Sequence, residues 1–235
     1  MGQDLIRIGD IEKFSLVDMP SKIAVVIFMQ GCPWRCPFCY NQSLQNPTGE
    51  TDAKWEHLLH LLEHRRGMVD AVVFSGGEPL LQSNLPQAMD EVKAMGFEIG
   101  LHTGGYNPEA FAKVIDKVNW VGFDIKAPLN AEHYKRATGG IGDVEKIKQS
   151  LDILIKSGKH FECRTTCDPR LLDIADIYTI ADELSTLGVK EYYIQKYRPI
   201  PSDTTTSESD CEKFFKDEKL LTYLRSKFTT FDARK

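Results

Sequence analysis

Three cysteines stand close together in Gly31-Cys32-Pro33-Trp34-Arg35-Cys36-Pro37-Phe38-Cys39-Tyr40-Asn41, with the spacing C-x3-C-x2-C. One short loop can turn all three thiolates towards a common metal centre, and the number is informative. A four-iron cubane is normally held by four thiolates. A site that supplies three leaves one iron open to a substrate or cosubstrate, much as a catalytic zinc site keeps one position free. A structural zinc site, the alternative on spacing alone, would want a fourth Cys or His, and none lies nearby. A disulfide with a stray thiol fits poorly with an N-terminus that shows no secretory pattern. Cys163, Cys167 and Cys211 form no second cluster motif and read as small buried apolar residues.

Other groups able to do chemistry fall in short clusters. Ser75-Gly76-Gly77-Glu78-Pro79 combines two glycines, which let backbone approach a ligand closely, with a carboxylate that can accept from an ammonium. On its own it also reads as a Gly-Gly turn. Asp124-Ile125-Lys126 places two charges on one face of an extended segment. Lys126 can meet a carboxylate as a point charge, and Asp124 can bind a small cation or orient a polar group; a plain ion pair is the alternative. Around the third cysteine, the aromatic rings of Phe38 and Tyr40 can shield a metal cluster, and Asn41 offers both a donor and an acceptor. His102, in His102-Thr103-Gly104-Gly105, and Arg198 complete the candidates; a hydrogen-bonded core histidine and a structural salt bridge are their plainer readings.

The elements that must position these groups alternate. Residues 23–29 form a continuous apolar run rich in β-branched side chains, as expected of a strand buried on both faces, and the cysteine loop follows it. Further strands are expected at 71–74, 97–101, 119–123, 159–163 and 191–194. Helices are expected between them: one starting at Thr51 or Asp52, then about 85–95, from Pro108, about 142–157, and 171–187. Trp55, Leu58, Leu59 and Leu62 mark the apolar stripe of the first, while His57, His60 and His64 fall on its other, solvated face. Each polar or glycine cluster sits just after a strand. In a β/α barrel those positions share one rim, where active sites are built. Six such units are fewer than the eight that close a barrel, so one side should stay open. The expected fold is α/β: a partial (β/α)6 TIM-like barrel in one domain over residues 1–235. Residues 1–21 form an N-terminal segment, with Ile6, Ile8, Ile11 and Phe14 in a small hairpin or edge. Residues 22–199 make the barrel, and 200–235 a polar linker with a C-terminal helix capped by Ser209 and Glu212.

Composition bounds the function. The chain has 235 residues, enough for one sizeable core, with 42% hydrophobic and 27% charged residues. A net charge of −5 does not favour sequence-independent nucleic-acid binding. The apolar run at 23–29 is too short to span a bilayer, so a cytoplasmic chain with free or metal-bound thiols is expected.

With an aromatic before its third cysteine, the C-x3-C-x2-C loop resembles the cluster motif of the radical S-adenosylmethionine (radical SAM) superfamily. Its flanks, Ser15-Leu16-Val17-Asp18-Met19-Pro20 and Gln30-Gly31-Cys32, narrow the resemblance to the activating enzymes of glycyl-radical enzymes. Among these the chain looks most like the longer activating proteins of anaerobic ribonucleoside-triphosphate reductase, over about residues 14–199. The resemblance implies the radical SAM barrel, a 4Fe–4S cluster on Cys32, Cys36 and Cys39, and S-adenosylmethionine chelated at the open iron. It also implies that Ser75, Gly76, Gly77 and Glu78 meet the amino group of the methionine moiety. Asp124 and Lys126 would belong to the same site, Phe38, Tyr40 and Asn41 would surround adenine, and Arg198 would stand where relatives place a His. Many relatives carry His where Tyr40 stands. Pyruvate formate-lyase activating enzymes carry an Asp at the position of His102, where it helps hold a monovalent cation; a neutral His suits a hard cation less well. The implied partners are a glycyl-radical enzyme, anaerobic ribonucleotide reductase first among them, and a one-electron donor such as flavodoxin or ferredoxin. A radical SAM enzyme acting on a small molecule, for example one like 7-carboxy-7-deazaguanine synthase, and an activase of another glycyl-radical enzyme are the alternatives. A simple iron–sulfur or zinc module would give Gly-Gly-Glu and Asp-x-Lys no role.

Overall fold

The computed structural model describes residues 6–51 and 53–235. One eight-stranded sheet organises them, its strands lying side by side in chain order: β1 (Ile8–Ser15), β2 (Ala24–Met29), β3 (Ala71–Gly76), β4 (Glu98–Thr103), β5 (Trp120–Asp124), β6 (His160–Cys167), β7 (Glu191–Lys196) and β8 (Thr230–Arg234). β1 is antiparallel to β2, and every later pair is parallel. β1 and β8 are the two ends of the sheet order, so the barrel is partial and open between them. Helices α1 (Trp55–Glu63), α2 (Leu85–Ala94), α3 (Pro108–Val114), α4 (Ala131–Ala137), α5 (Val144–Ser157), α6 (Ile174–Thr186), α7 (Glu208–Lys216) and α8 (Glu218–Lys227) complete the chain.

The continuous apolar runs have a structural reason. Val25, Ile27, Val72 and Phe74 belong to the large core shared with the helices, while their neighbours Ala24, Val26, Ala71 and Val73 pack with Met19 and Trp120 in a second, inner core. Alternation thus sends successive side chains to two different apolar layers, and neither face needs polar residues. The upper ends of the same strands are left to carry polar groups. Helix starts follow from short polar caps: the Asn107, Asn130, Asp143 and Asp173 side chains each accept a backbone N–H of the turn they begin.

Several expectations are corrected. α1 begins at Trp55 after Lys54, not at Thr51, whose hydroxyl instead donates to the Ile8 carbonyl; Asp52 lies outside the described residues. His57, His60 and His64 are exposed as expected. The region after residue 199 is more than a linker and one helix. The capping box is Ser207 with Asp210, two residues before the expected pair. Asp217 leaves helical geometry, at ψ 93°, and caps α8 anew, so two helices stand where one was expected. The chain then adds β8 alongside β7 as a seventh parallel strand. This strand is half exposed and carries only two apolar residues, Phe231 and Ala233, because an end strand needs only one neighbour. It is pinned across the sheet by Arg234, which reaches the buried Glu162 with two hydrogen bonds of 2.6 and 2.8 Å. The helix α4 was also unforeseen. Among the described residues no helix is long and apolar enough to cross a membrane.

Candidate active site

A cavity of about 470 Å³ opens at the C-terminal ends of the parallel strands, and every candidate residue named from the sequence lines it. The cysteine loop leaves β2, Ser75 to Glu78 end β3, His102 ends β4, Asp124 and Lys126 leave β5, and Arg198 follows β7.

The Gly-Gly-Glu turn is sewn to the root of the cysteine loop. Gly77 N donates to the Met29 carbonyl and Glu78 N to the Gly31 carbonyl, each at 2.9 Å. A Cβ on Gly77 would stand 2.1 Å from the Gly31 oxygen. Gly76 has φ +97°, and a Cβ there would stand 2.3 Å from Met29 N. Glycine is therefore required at both positions by the backbone of the neighbouring strand end.

Glu78 is 1% exposed. Its Oε1 accepts from Thr103 Oγ1 at 2.6 Å and from Leu80 N at 3.1 Å, and its Oε2 accepts from Gly104 N at 3.0 Å. A carboxylate has about four acceptor sites, so roughly one, on Oε2, remains for a ligand. Burial pushes its pKa up, against the pull of these donors and of Lys126.

Lys126 sits between charges and rings. Its Nζ lies 3.5 Å from Asp124 Oδ2, 5.2 Å from the centre of the Trp34 ring and 5.9 Å from that of Phe38. Burial works against its charge, but Asp124 and the nearby cysteines outweigh it, and its pKa lies above the ordinary lysine value. Asp124 Oδ1 receives Arg164 Nε at 3.1 Å and Nη2 at 2.9 Å. Burial opposes the charge of Asp124, yet Arg164 and Lys126 hold its carboxyl below the usual range. Both oxygens of Asp124 thus already face protein cations.

His102 Nε2 lies 2.8 Å from the Asp18 carbonyl, and Nδ1 lies 3.2 Å from Ser75 Oγ. The carbonyl can only accept, so Nε2 carries the proton and Nδ1 accepts from the serine. Burial, with Arg164 beside it, lowers the His102 pKa to about 3, so it is neutral. Arg198 donates its backbone N–H to Tyr40 Oη at 2.7 Å, and its guanidinium reaches the Lys235 carbonyl at 3.4 Å. Tyr40 in turn stacks on Tyr197, with ring centres 6.4 Å apart.

All six cysteines are free thiols. Burial pushes Cys32 up to about 12 and Cys36 up to about 11. Metal ligation takes the thiolate, so loading a centre here releases protons. Among the described residues no three His, Cys, Asp or Glu side chains converge as a single ion would require. A cubane binds its thiolates on separate corners and does not ask for that convergence. Three thiols around one cavity that a lysine and a carboxylate also line are a donor set that fits a cluster with an open iron and a zwitterionic amino acid beside it.

Sequence reasoning did not assign Arg164, Thr103, Gly104 or Arg170. For Arg164 a signal existed: Glu162, Arg164 and Thr166 alternate along β6, which turns all three to the face that carries the cavity.

The model of the radical SAM superfamily matches residues 26–173. The chain belongs to the radical SAM superfamily, whose members use a 4Fe–4S cluster and S-adenosylmethionine. Its relatives narrow the class to the activating enzymes of glycyl-radical enzymes. A Methanocaldococcus jannaschii protein named as such an enzyme is 31% identical over 212 residues, covering 82% of this chain and 80% of the relative. The pyruvate formate-lyase-activating enzyme of Clostridium pasteurianum is 28% identical over 233 residues, covering 93% and 97%. Among solved structures, SuiB of Streptococcus suis bound to S-adenosylmethionine superposes with a TM-score of 0.68 at 11% identity, over 88% of this chain and 48% of SuiB. That likeness speaks for the fold.

Proposed function

We propose that this activase makes a glycyl radical in an anaerobic ribonucleotide reductase. The observation that carries the reading is the meeting of the three cysteines, Gly-Gly-Glu and Asp-x-Lys around one cavity in a sheet left open between β1 and β8. The flanks of the cysteine loop, which resemble the reductase activases, select the partner.

In this reading Cys32, Cys36 and Cys39 hold the cluster. The free acceptor site of Glu78 takes the ammonium of the methionine moiety, and Lys126 takes its carboxylate. Asp124 and Arg164 fix the Lys126 head, so the charge is placed before the ligand arrives. Phe38, Tyr40 and Asn41 line the adenine side, with Arg198 holding the Tyr40 hydroxyl. Ser75 and His102 form wall. When bound, a reduced cluster and S-adenosylmethionine would supply one-electron C–S cleavage and, from it, the hydrogen-abstracting power aimed at the α-hydrogen of the glycine. The protein's part is to exclude water and to let only the glycine loop of the partner reach that carbon. Flavodoxin or ferredoxin supplies the electron.

The test is isotope transfer. A reductase deuterated at its radical glycine, mixed with reduced activase and S-adenosylmethionine, should give deuterated 5′-deoxyadenosine and a glycyl radical by EPR. Absence of label from the reductase, with clean transfer from a small metabolite, overturns the activase reading.

A further inference from the structure

Outside the cosubstrate site, one side chain ties together three segments that reach the cavity from distant parts of the chain. Arg170 follows β6. Its Nη2 lies 3.2 Å from the Pro37 carbonyl, 2.8 Å from Tyr197 Oη and 2.6 Å from Asp168 Oδ2. Its Nε lies 2.9 Å from Asp168 Oδ1, its Nη1 lies 3.0 Å from Asp203 Oδ2, and its guanidinium stacks 4.9 Å from the Tyr197 ring centre. Both aspartate side chains are fully buried and both pair with this one cation, while Asp203 also accepts from the Thr205 and Thr206 backbone N–H groups and the Thr205 hydroxyl. Tyr197 donates its hydroxyl to Asp203 Oδ2 at 2.9 Å.

Pro37 stands in the turn between Cys36 and Cys39, a turn closed by Cys39 N donating to the Cys36 carbonyl at 3.1 Å. The Pro37 carbonyl, inside that turn, accepts from Arg170. Tyr40, the residue after Cys39, stacks on Tyr197, which Arg170 also holds. A planar fork with five donors can bind the carbonyl, the tyrosine and both carboxylates at once; a lysine ammonium cannot.

The geometry points to Arg170 as a positioning residue for the metal centre: it fixes the Cys36–Cys39 turn, and so two of the three thiols, against β6 and the loop after β7. This rests on those cysteines being cluster ligands. It does not rest on the identity of the partner, so its failure and a failure of glycine label transfer are distinguishable.

The test compares Arg170→Lys, which keeps charge but loses the fork, with the unchanged chain, and uses no partner protein. In the cluster-free chain, amide exchange across residues 31–41 should quicken while that of β3 stays unchanged. In the loaded chain, iron content should hold, but the EPR signal of the reduced cluster should broaden. The rate of S-adenosylmethionine cleavage should fall by about tenfold or more through misplacement, with KM little moved. Wild-type exchange, EPR line shape and rate in folded Arg170→Lys overturn the assignment. Should that variant not fold, Tyr197→Phe decides by the same measurements: faster exchange and a broader signal uphold it, and unchanged values overturn it.

Discussion

Gly104 N donates to Glu78 Oε2 at 3.0 Å, so the end of β4 hangs on the last residue of the Gly-Gly-Glu turn. With Thr103 Oγ1 on the other oxygen, one buried carboxylate joins two strand ends and still faces the cavity. Glu78 therefore has a structural task that does not depend on any ligand.

Glu78→Ala should lose both stability and cosubstrate affinity. Each donor left buried without a partner costs about 1–3 kcal/mol. Chemical denaturation of the cluster-free chain should show the loss. Calorimetric titration with S-adenosylmethionine should show weaker binding in the loaded protein. Full stability in this variant contradicts the hydrogen-bonding role.

Lys126→Ala separates the two effects. Arg164 still neutralises Asp124, so the fold should hold. If Lys126 takes the methionine carboxylate as proposed, losing that charge-assisted contact should weaken binding by about 1.5–3 kcal/mol, roughly ten- to a hundredfold in Kd. Unchanged affinity by titration would remove Lys126 from the site.

Replacing Cys32, Cys36 and Cys39 with Ala together should leave a folded chain without a redox-active four-iron cluster. Iron and sulfide analysis, with absorbance before and after reduction, checks this. A normal cluster in the triple variant would refute the ligand assignment.

His102 gives a pH dependence with a definite sign. Its folded pKa is about 3, while an exposed histidine titrates near 6.5. As pH falls through 6.5 the unfolded chain takes up the proton first, so stability is lost from pH 6.5 down towards 3 and is flat in this group above 6.5. The slope is at most about 1.4 kcal/mol per pH unit. Denaturation of His102→Gln across that window should fall less steeply than wild type, whereas identical slopes would show that His102 does not titrate as its burial implies.

The candidate residues that line the cavity could be singled out because their signals are local. Three thiols within eight residues can meet in one loop whatever the rest of the chain does. Likewise the runs at 23–29 and 71–74 could be read as strands because both faces of β2 and β3 meet apolar layers. Six strand ends carrying polar clusters already implied one rim.

What each of these residues touches was decided only by tertiary structure. Arg164 could be placed on the inner face of β6 by alternation, but its pairing with Asp124 depends on the register that sets Asp124 beside Arg164 across β5 and β6. Glu78 reads as a ligand group in sequence, while three of its acceptor sites are filled by residues from two strand ends. The strand β8 carries only two apolar residues, Phe231 and Ala233, too few to announce itself; it pairs along the edge of β7, and Arg234 ties it to the buried Glu162. Arg170 lies 133 residues from Pro37 in the chain and carries no motif. Spacing along the chain records which side chains share a loop or a face. It does not record which loops close over one another, because that depends on the register of every strand between them and on buried charges finding partners.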